Sequence, residues 1–196
     1  HPVVKEALQR FLYRQDGLIL GVGGGFHTLL QAGLFFLTSN ADFASSQMHV
    51  ERLRQGLDMQ HLYLAPNPGK HNRSRLVRVR GVSCSTPWTH CLQAETVYES
   101  IFSMAFGRLH IDATAMDILR QYDMIGSQFV NENGNASMDS TFNPSCCDGA
   151  VESLLSADGR VMGKLCHFER MSSSLYPQIT GNKDQPILRS AVTYFQ

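Results

Sequence analysis

Hydrophobic residues recur along the first third of the chain in patterns that predict alternating helices and strands. From Val3 to Tyr13 they return every three or four positions, which is typical of an amphipathic helix. Residues 17–22 form a continuous apolar run, as in a buried central parallel strand. A glycine cluster follows, and another helical pattern begins at Phe26. This order of elements predicts a layered α/β fold.

The middle of the chain predicts a more mixed set of elements. Residues 38–72 are more polar and end in the loop sequence APNPGKHN. Residues 85–88 (STPW) predict a turn, and residues 95–107 predict a strand with its loop. Residues 112–122 predict a short helix with Asp112 as its N-cap.

A basic stretch at residues 73–80 alternates valines with arginines. Val77 and Val79 share one face of the predicted strand, and Arg78 and Arg80 share the other. We interpret the arginine face as solvated or as facing a partner, with a phosphate or inter-domain contact as the alternative.

The last third predicts a β-meander and a closing helix. Asn133-Gly134 suits a tight hairpin turn, and residues 157–159 (ADG) give a second hairpin signal. The tail, residues 184–195, predicts a helix with Pro186 in its first turn.

Composition limits the function classes. Seventeen basic residues balance seventeen acidic ones in a chain of 196, so no overall field favours nucleic acid or an anionic membrane. No apolar run is long enough to span a bilayer. The five cysteines form no CxxC pair, and we expect reduced thiols in a cytoplasmic protein. The eight histidines lack metal spacing, so no metal site is predicted.

Three interpretations compete for the glycine turn, Gly23 to Gly25. A dinucleotide fingerprint requires glycine where Phe26 stands, and a P-loop requires a Lys-Ser/Thr pair where His27-Thr28 stands. The third is a nucleophile elbow, a strained turn between strand and helix. No serine, cysteine or lysine stands on this turn.

A second candidate site is the pair His167 and Glu169. On an extended strand, residues two apart share a face, so the carboxylate could orient the imidazole. This spacing alone is a weak signal, because most such pairs are surface neighbours.

With these motifs in view, the chain resembles the class I glutamine amidotransferase domains of phosphoribosylformylglycinamidine synthase. The family writes the elbow roughly as D-G-L-x-L-G-I-C-N-G-F-Q-A-L-x-K-L-G-L, against DGLILGVGGGFHTLLQAGL here. Its late motif G-K-M-G-H-S-E-R aligns with residues 163–170. The segments SRLVRVRGVS, FVNENGNASMDSTFNP, AVESLLSADGRVMGKLCHFER and GNKDQPILRSAVTYF follow in the family's order.

The resemblance implies a flavodoxin-like layered fold with a mostly parallel central sheet and a β-meander in the C-terminal third. It also implies a Cys-His-Glu triad that releases ammonia from L-glutamine through a glutamyl thioester. His167 and Glu169 match the histidine and the glutamate, and Gly23 stands at the position of the cysteine. No cofactor is implied in this domain, since ATP and Mg²⁺ belong to the synthetase domain or subunit that is its partner.

Departures from the family pattern predict a loss of catalysis. Gly23 offers no side chain to form the covalent intermediate. Gly24 replaces asparagine and, with Gly25, forms the elbow and oxyanion side; His27 replaces glutamine and, with Phe26, is a candidate substrate contact. The loops at residues 104–108 and 143–147 also depart from the family's H-G-E-G-R and N-P-N-G-S.

Three hypotheses follow for the chain, which we treat as one domain spanning residues 1–196. We expect a start later than the family's first strand and Gly-rich loop. The first hypothesis is the glutaminase domain of the synthase without its nucleophile, in the cytoplasm and with no nucleic-acid or membrane partner. The second is a non-catalytic amidotransferase-like binding or interaction domain. The third, an unrelated α/β hydrolase, is disfavoured because the elbow has no serine or cysteine.

Cys166, beside His167, is expected to be a buried structural thiol rather than a substitute nucleophile.

Overall fold

Two sheets and four helices organise the structure, a computed structural model that describes residues 2–14, 17–36 and 61–196. The strands are β1 (Ile19–Val22), β2 (Leu62–Ala65), β3 (Arg73–Gly81), β4 (Val97–Met104), β5 (Arg108–Ile111), β6 (Ile125–Phe129), β7 (Val151–Leu155) and β8 (Val161–Lys164). The helices are α1 (Pro2–Arg14), α2 (Gly24–Gln31), α3 (Ala113–Gln121) and α4 (Ile187–Tyr194). None of these helices is long and apolar enough to cross a bilayer.

The larger sheet has the strand order β1-β8-β7-β6-β3-β4, and β2 pairs with β5 in the smaller one. The layered α/β class predicted from the sequence is confirmed. The expected mostly parallel pairing is not found among the described strands. Only β1 and β8 run parallel, and the other four neighbouring pairs of the large sheet are antiparallel. Short connections such as the one between β7 and β8 allow only antiparallel pairing, because a parallel pair needs a long crossover.

The predicted C-terminal meander is confirmed in β6, β7 and β8. The turn between β7 and β8 closes through the Gly159 N–H, which donates to the Ser156 carbonyl at 2.8 Å. Gly159 has φ 70°, a conformation that glycine adopts without strain. The Asn133-Gly134 turn also forms, but it leads only to an isolated bridge between Val130 and Ala136. Strand β6 therefore pairs with β7, the next strand along the chain.

Strand β3 has the two faces that its sequence predicts. Val77 and Val79 are buried, whereas Arg78 and Arg80 are partly exposed. Arg78 pairs with Glu99 at 2.9 Å, and Arg80 pairs with Glu95 at 2.6 Å. Acidic groups of the same chain thus partner this arginine face.

Helices α1, α3 and α4 fall where the hydrophobic pattern places them. The predicted cap of α3 is confirmed, because an Asp112 carboxylate oxygen accepts the Ala115 N–H at 2.9 Å. Helix α4 begins at Ile187, immediately after Pro186, within the predicted tail.

The sequence pattern predicted no strand in the polar stretch between residue 38 and the loop that begins at residue 65. Residues 38–60 lie outside the described part of the chain. Within the remainder, Leu62–Ala65 form β2, an antiparallel partner of β5. A four-residue strand is hard to recognise from alternation alone, but burial of Leu62 and Leu64 explains why it forms.

A second apolar cluster lies beside the main core and holds the segment after β8. Phe168 is buried there with Trp88, Met162 and Ile187. The Trp88 indole N–H donates to the Arg160 carbonyl at 2.9 Å. Because Phe168 is anchored in this cluster, the residues on either side of it are held at the surface of the sheet.

Candidate active site

The glycine turn between β1 and α2 has the backbone geometry of a strained elbow. Gly23 has φ 57° and ψ −117°, a conformation that side-chain-bearing L-residues rarely adopt. Its N–H donates to the Lys164 carbonyl at 2.8 Å, and its carbonyl accepts the Phe26 N–H at 3.1 Å. The first bond ties the elbow to β8, and the second begins helix α2.

His167 and Glu169 interact, but not along a strand as the sequence suggested. Strand β8 ends at Lys164, and His167 precedes a 3₁₀ turn, Phe168–Arg170. The turn brings the His167 Nδ1 atom 2.7 Å from a carboxylate oxygen of Glu169. The backbone N–H of His167 donates to Ile101 of β4 at 2.7 Å. The His167 side chain is 14% exposed and that of Glu169 is 41% exposed.

The imidazole of His167 faces the elbow. A Cβ atom placed on Gly23 would lie 3.1 Å from Cε1 and 3.2 Å from Nε2 of His167. Since Nδ1 is engaged by the carboxylate, Nε2 is the ring nitrogen that meets the elbow position. The structure thus brings together Gly23, His167 and Glu169, which are far apart in sequence.

Gly24 and Gly25 lie in the first turn of α2, where side-chain positions face open space. A Cβ atom on either residue would find no atom within 4 Å. The first backbone N–H groups of a helix have no intrahelical acceptor, and the helix dipole makes that end favourable for negative charge.

Phe26 and His27 point to different surroundings. Phe26 is fully buried, and its ring meets that of Phe35 edge to face at 5.5 Å between centroids. Its side chain therefore belongs to the core. The ring of His27 stacks on that of Phe106, with centroids 6.1 Å apart and planes within 10°. Phe106 is half exposed, in the loop whose family counterpart is polar.

Asn67, which the sequence did not single out, holds that loop. Its side-chain N–H group donates to the Met104 carbonyl at 2.6 Å, and its oxygen accepts the Gly107 N–H at 3.1 Å. Asn67 is buried, so these bonds replace solvent contacts that the loop backbone would otherwise need. The stacking partner of His27 is thereby fixed in place.

A fully buried ion pair behind the elbow was also missed from the sequence. The Lys164 ammonium lies 2.5 Å from a carboxylate oxygen of Glu152, and Ser127 donates to the same oxygen. The other oxygen accepts the Cys166 N–H at 2.7 Å. One carboxylate thus fixes the strand that holds Gly23 and leads to His167. In the sequence, this ion pair is marked by a charged residue inside each of two apolar strand patterns: Glu152 in AVESLL and Lys164 in RVMGKLC.

The cysteines of the structure are free thiols, and two of them are buried. Burial raises the pKa of the Cys147 thiol to about 12. Burial also raises the pKa of the Cys166 thiol far above its ordinary value, and the nearby Glu152 carboxylate adds to this effect. Cys166 is therefore a core residue that stays protonated, as expected from its position.

A cavity of about 650 Å³ adjoins the outer side of Glu169. Its walls include Tyr98, Gln185 and Arg189, but neither Gly23 nor His167. Within the described ranges, no group of three or more histidine, cysteine, aspartate or glutamate side chains could hold a metal ion.

The fold and site define a class: an α/β domain whose strand–helix elbow faces a histidine oriented by a carboxylate, as in enzymes with an elbow nucleophile. The model of the CobB/CobQ-like glutamine amidotransferase domain family matches residues 1–195, and the chain belongs to that family.

The structure comparison agrees with this assignment at the level of the fold. The chain superposes on one in the structure of PurLQS from Thermotoga maritima with a TM-score of 0.63 and 17% sequence identity. The match covers 98% of this chain and 68% of that one. A search of curated proteins finds no match.

Proposed function

We propose that this chain is a glutaminase domain of the phosphoribosylformylglycinamidine synthase type that does not hydrolyse glutamine. In this proposal residues 1–196 form one domain, His167 is the base, Glu169 orients it, and Gly23 stands where the nucleophile would be. Membership of the amidotransferase family and the fold shared with a PurLQS chain support the assignment. The sequence segments and motifs that resemble the synthase make the assignment specific to that enzyme.

The observation that carries the proposal is the distance between Gly23 and His167. A Cβ atom on Gly23 would lie 3.2 Å from Nε2, which is closer than ordinary van der Waals contact, so a side chain at this position would lie directly against that imidazole. With hydrogen in its place, no acyl-enzyme forms at this position. Loss of a triad nucleophile costs up to about 10⁶ in turnover.

The remaining roles complete the proposal. Gly24 and Gly25 supply backbone N–H groups to an oxyanion. His27 contacts the ancestral substrate, L-glutamine, whereas Phe26 contributes only its backbone, because its ring is buried. The partner is a synthetase domain or subunit in the cytoplasm that uses free ammonia and holds the ATP and Mg²⁺, so this domain needs no cofactor. Nucleic acids and membranes are not partners.

A non-catalytic interaction domain is the second candidate function. Helix α4 and the residue after it expose Leu188, Val192 and Phe195, each more than half accessible. Their spacing of four and three residues places them on one helical face. An exposed apolar stripe of this kind favours a binding role. The first candidate predicts that the complete protein carries out amidation with free ammonia, and the second does not. An assay of ammonia-dependent amidation therefore separates them.

Gly23→Cys tests the proposed function directly. In the full-length protein, we expect no ammonia release from glutamine before the change and measurable release after it. The new sulfur stands next to Nε2, which favours its thiolate. A coupled glutamate dehydrogenase assay measures the ammonia, and alkylation by iodoacetamide measures the thiolate.

Gly25→Cys is the matched control, because it adds the same side chain two residues further on, where a Cβ atom has no contact with His167. It should release no ammonia. The backbone conformation at Gly23 makes the first variant less stable, so the melting temperature of both variants is measured alongside. Glutamine hydrolysis by the unchanged protein would contradict the proposal.

A further inference from the structure

The cavity beside Glu169 has the size of a small-molecule site. Its volume of about 650 Å³ lies within the range of about 300–1,000 Å³ that is usual for ligand pockets. Its walls come from the segment after β8, from the residues that lead into helix α4, and from the first turn of that helix. Neither Gly23 nor His167 lines the cavity, so it is separate from the elbow.

One part of the wall carries hydrogen-bond donors that the fold leaves without acceptors. Arg189 is exposed, and its guanidinium forms no ion pair with any residue in the described part of the chain. The Gln185 Nε2 atom is buried, and it has no hydrogen-bond partner among the same residues. A buried amide donor without an acceptor is costly, and a carboxylate bound in the cavity would supply one. The guanidinium matches a carboxylate with two parallel hydrogen bonds.

Two carboxylates line the same cavity. One oxygen of Asp184 accepts the Ser173 N–H at 3.2 Å, and one oxygen of Glu169 contacts His167 Nδ1 at 2.7 Å. Within the described ranges, the second oxygen of each group has no donor, so each can accept a hydrogen bond from a cation. The charged wall thus has two negative groups and one positive group, and it favours a ligand that carries both signs of charge over a simple anion.

The rest of the wall includes apolar surface. Tyr98 and Phe168 are buried side chains at the cavity, and Leu188 of α4 is 56% exposed beside them. An apolar group placed against these side chains would leave water, which stabilises the complex. The lining therefore matches a molecule with a carboxylate, an ammonium group and an apolar side chain.

We propose that this cavity binds a free α-amino acid with an apolar side chain. The carboxylate of the amino acid pairs with Arg189 and accepts a hydrogen bond from Gln185. Its ammonium group contacts Asp184 and Glu169, and its side chain packs on the apolar wall. This binding role goes beyond the proposed function, because it uses neither Gly23 nor His167.

Isothermal titration calorimetry of the full-length protein with L-phenylalanine tests the inference. We expect saturable binding with a Kd below about 1 mM. Two analogues divide the ligand: 3-phenylpropanoate lacks the ammonium group, and phenethylamine lacks the carboxylate. Each should bind at least about tenfold more weakly, because each loses its partners of opposite charge.

Variants of the wall identify the site. Arg189→Gln should weaken L-phenylalanine binding by about tenfold. Asp184→Asn keeps an acceptor for the Ser173 N–H and should weaken binding by about threefold, because Glu169 remains. Arg120→Gln is the matched control, since Arg120 is an exposed arginine of α3 that does not line the cavity. It should leave the affinity unchanged, and circular dichroism melting confirms that each variant is folded.

Cys91 provides a second readout of position. It is a partly exposed thiol on the cavity wall, whereas Cys146 is partly exposed outside the cavity. Saturating L-phenylalanine should slow the alkylation of Cys91 by iodoacetamide and leave that of Cys146 unchanged. Peptide mass spectrometry measures both rates.

Three results would overturn the inference. The first is the absence of saturable L-phenylalanine binding up to about 10 mM. The second is equal affinity in the unchanged protein and in folded Arg189→Gln. The third is an alkylation rate of Cys91 that L-phenylalanine does not alter. The ammonia assay of Gly23→Cys is separate from all three, so this inference and the proposed function can fail independently.

Discussion

Gly23 explains how this site can lose its chemistry and keep its shape. Its backbone conformation, φ 57° and ψ −117°, costs a side-chain-bearing residue about 1–3 kcal/mol, and glycine avoids that cost. The bond to the Lys164 carbonyl uses the backbone alone. Removal of a side chain from the elbow therefore leaves the turn, the helix and the position of His167 intact.

The adjacent residues Cys146 and Cys147 give a residue-scale prediction about thiol reactivity. Cys146 is partly exposed, whereas Cys147 is buried with its pKa raised to about 12. We expect iodoacetamide to label Cys146 and Cys91 in the folded protein. Cys147 and Cys166 should react only after denaturation, because the thiolate is the reactive form. Peptide mass spectrometry reads out each site.

Cys166 is the informative case in this experiment. Labelling of Cys166 in the folded protein as fast as that of Cys146 would contradict its assignment as a structural thiol. It would also make Cys166 available as a nucleophile beside His167.

At the scale of elements, helix α3 depends on its N-cap. The Ala115 N–H, and secondarily His61, lower the pKa of the Asp112 carboxyl below its ordinary value. Because the pKa is lower in the folded state, the ionised cap stabilises the protein fully at pH values above the ordinary, unfolded-state pKa. The stabilisation is lost as the pH falls through the lower, folded-state pKa.

Asp112→Ala should therefore lower the free energy of unfolding by about 1 kcal/mol at neutral pH. The difference from the unchanged protein should shrink at acid pH, as the pH falls through the lowered folded-state pKa and the carboxyl becomes protonated. Asp112→Asn keeps a capping oxygen and should show a smaller loss that varies little with pH. Urea unfolding at both pH values provides the measurement, and a constant difference for Asp112→Ala would contradict this mechanism.

The ion pair that joins β7 and β8 gives a second prediction at this scale. Glu152→Gln leaves the Lys164 ammonium buried without its counter-charge, and it should cost about 3–5 kcal/mol of unfolding free energy. Adding Lys164→Met should recover part of that loss, because the double variant buries no charge. Urea unfolding measures these two variants and the single variant Lys164→Met.

An exposed ion pair serves as the control. Glu6 and Arg10 of α1 lie 3.1 Å apart at the surface, and Glu6→Gln should change stability by less than about 1 kcal/mol.

For the buried pair, a double variant Glu152→Gln with Lys164→Met that loses as much stability as the sum of its two single changes would contradict the coupling of Glu152 with Lys164.

At the scale of the molecule, local signals were predictable and long-range pairing was not. The α3 cap at Asp112 and the turn at Gly159 depend on neighbouring residues, so their sequence patterns identify them. Asn67 and the antiparallel pairing of β3 with β6 depend on contacts between distant segments, for which one sequence gives no direct signal. The candidate site lies between these cases: motif order identified Gly23, His167 and Glu169, but only the structure placed Phe106 against His27.

The parallel pairing of β1 with β8 has a consequence for how the protein acquires its site. Ile19 is in register with Val161, and Val22 with Lys164, so both halves of the site come from remote parts of the chain. Contacts between such distant segments carry a large loop-closure entropy and slow the search for the native state. During synthesis on the ribosome, the glycine elbow must wait for the residues that follow position 160 to emerge before it gains its neighbour strand.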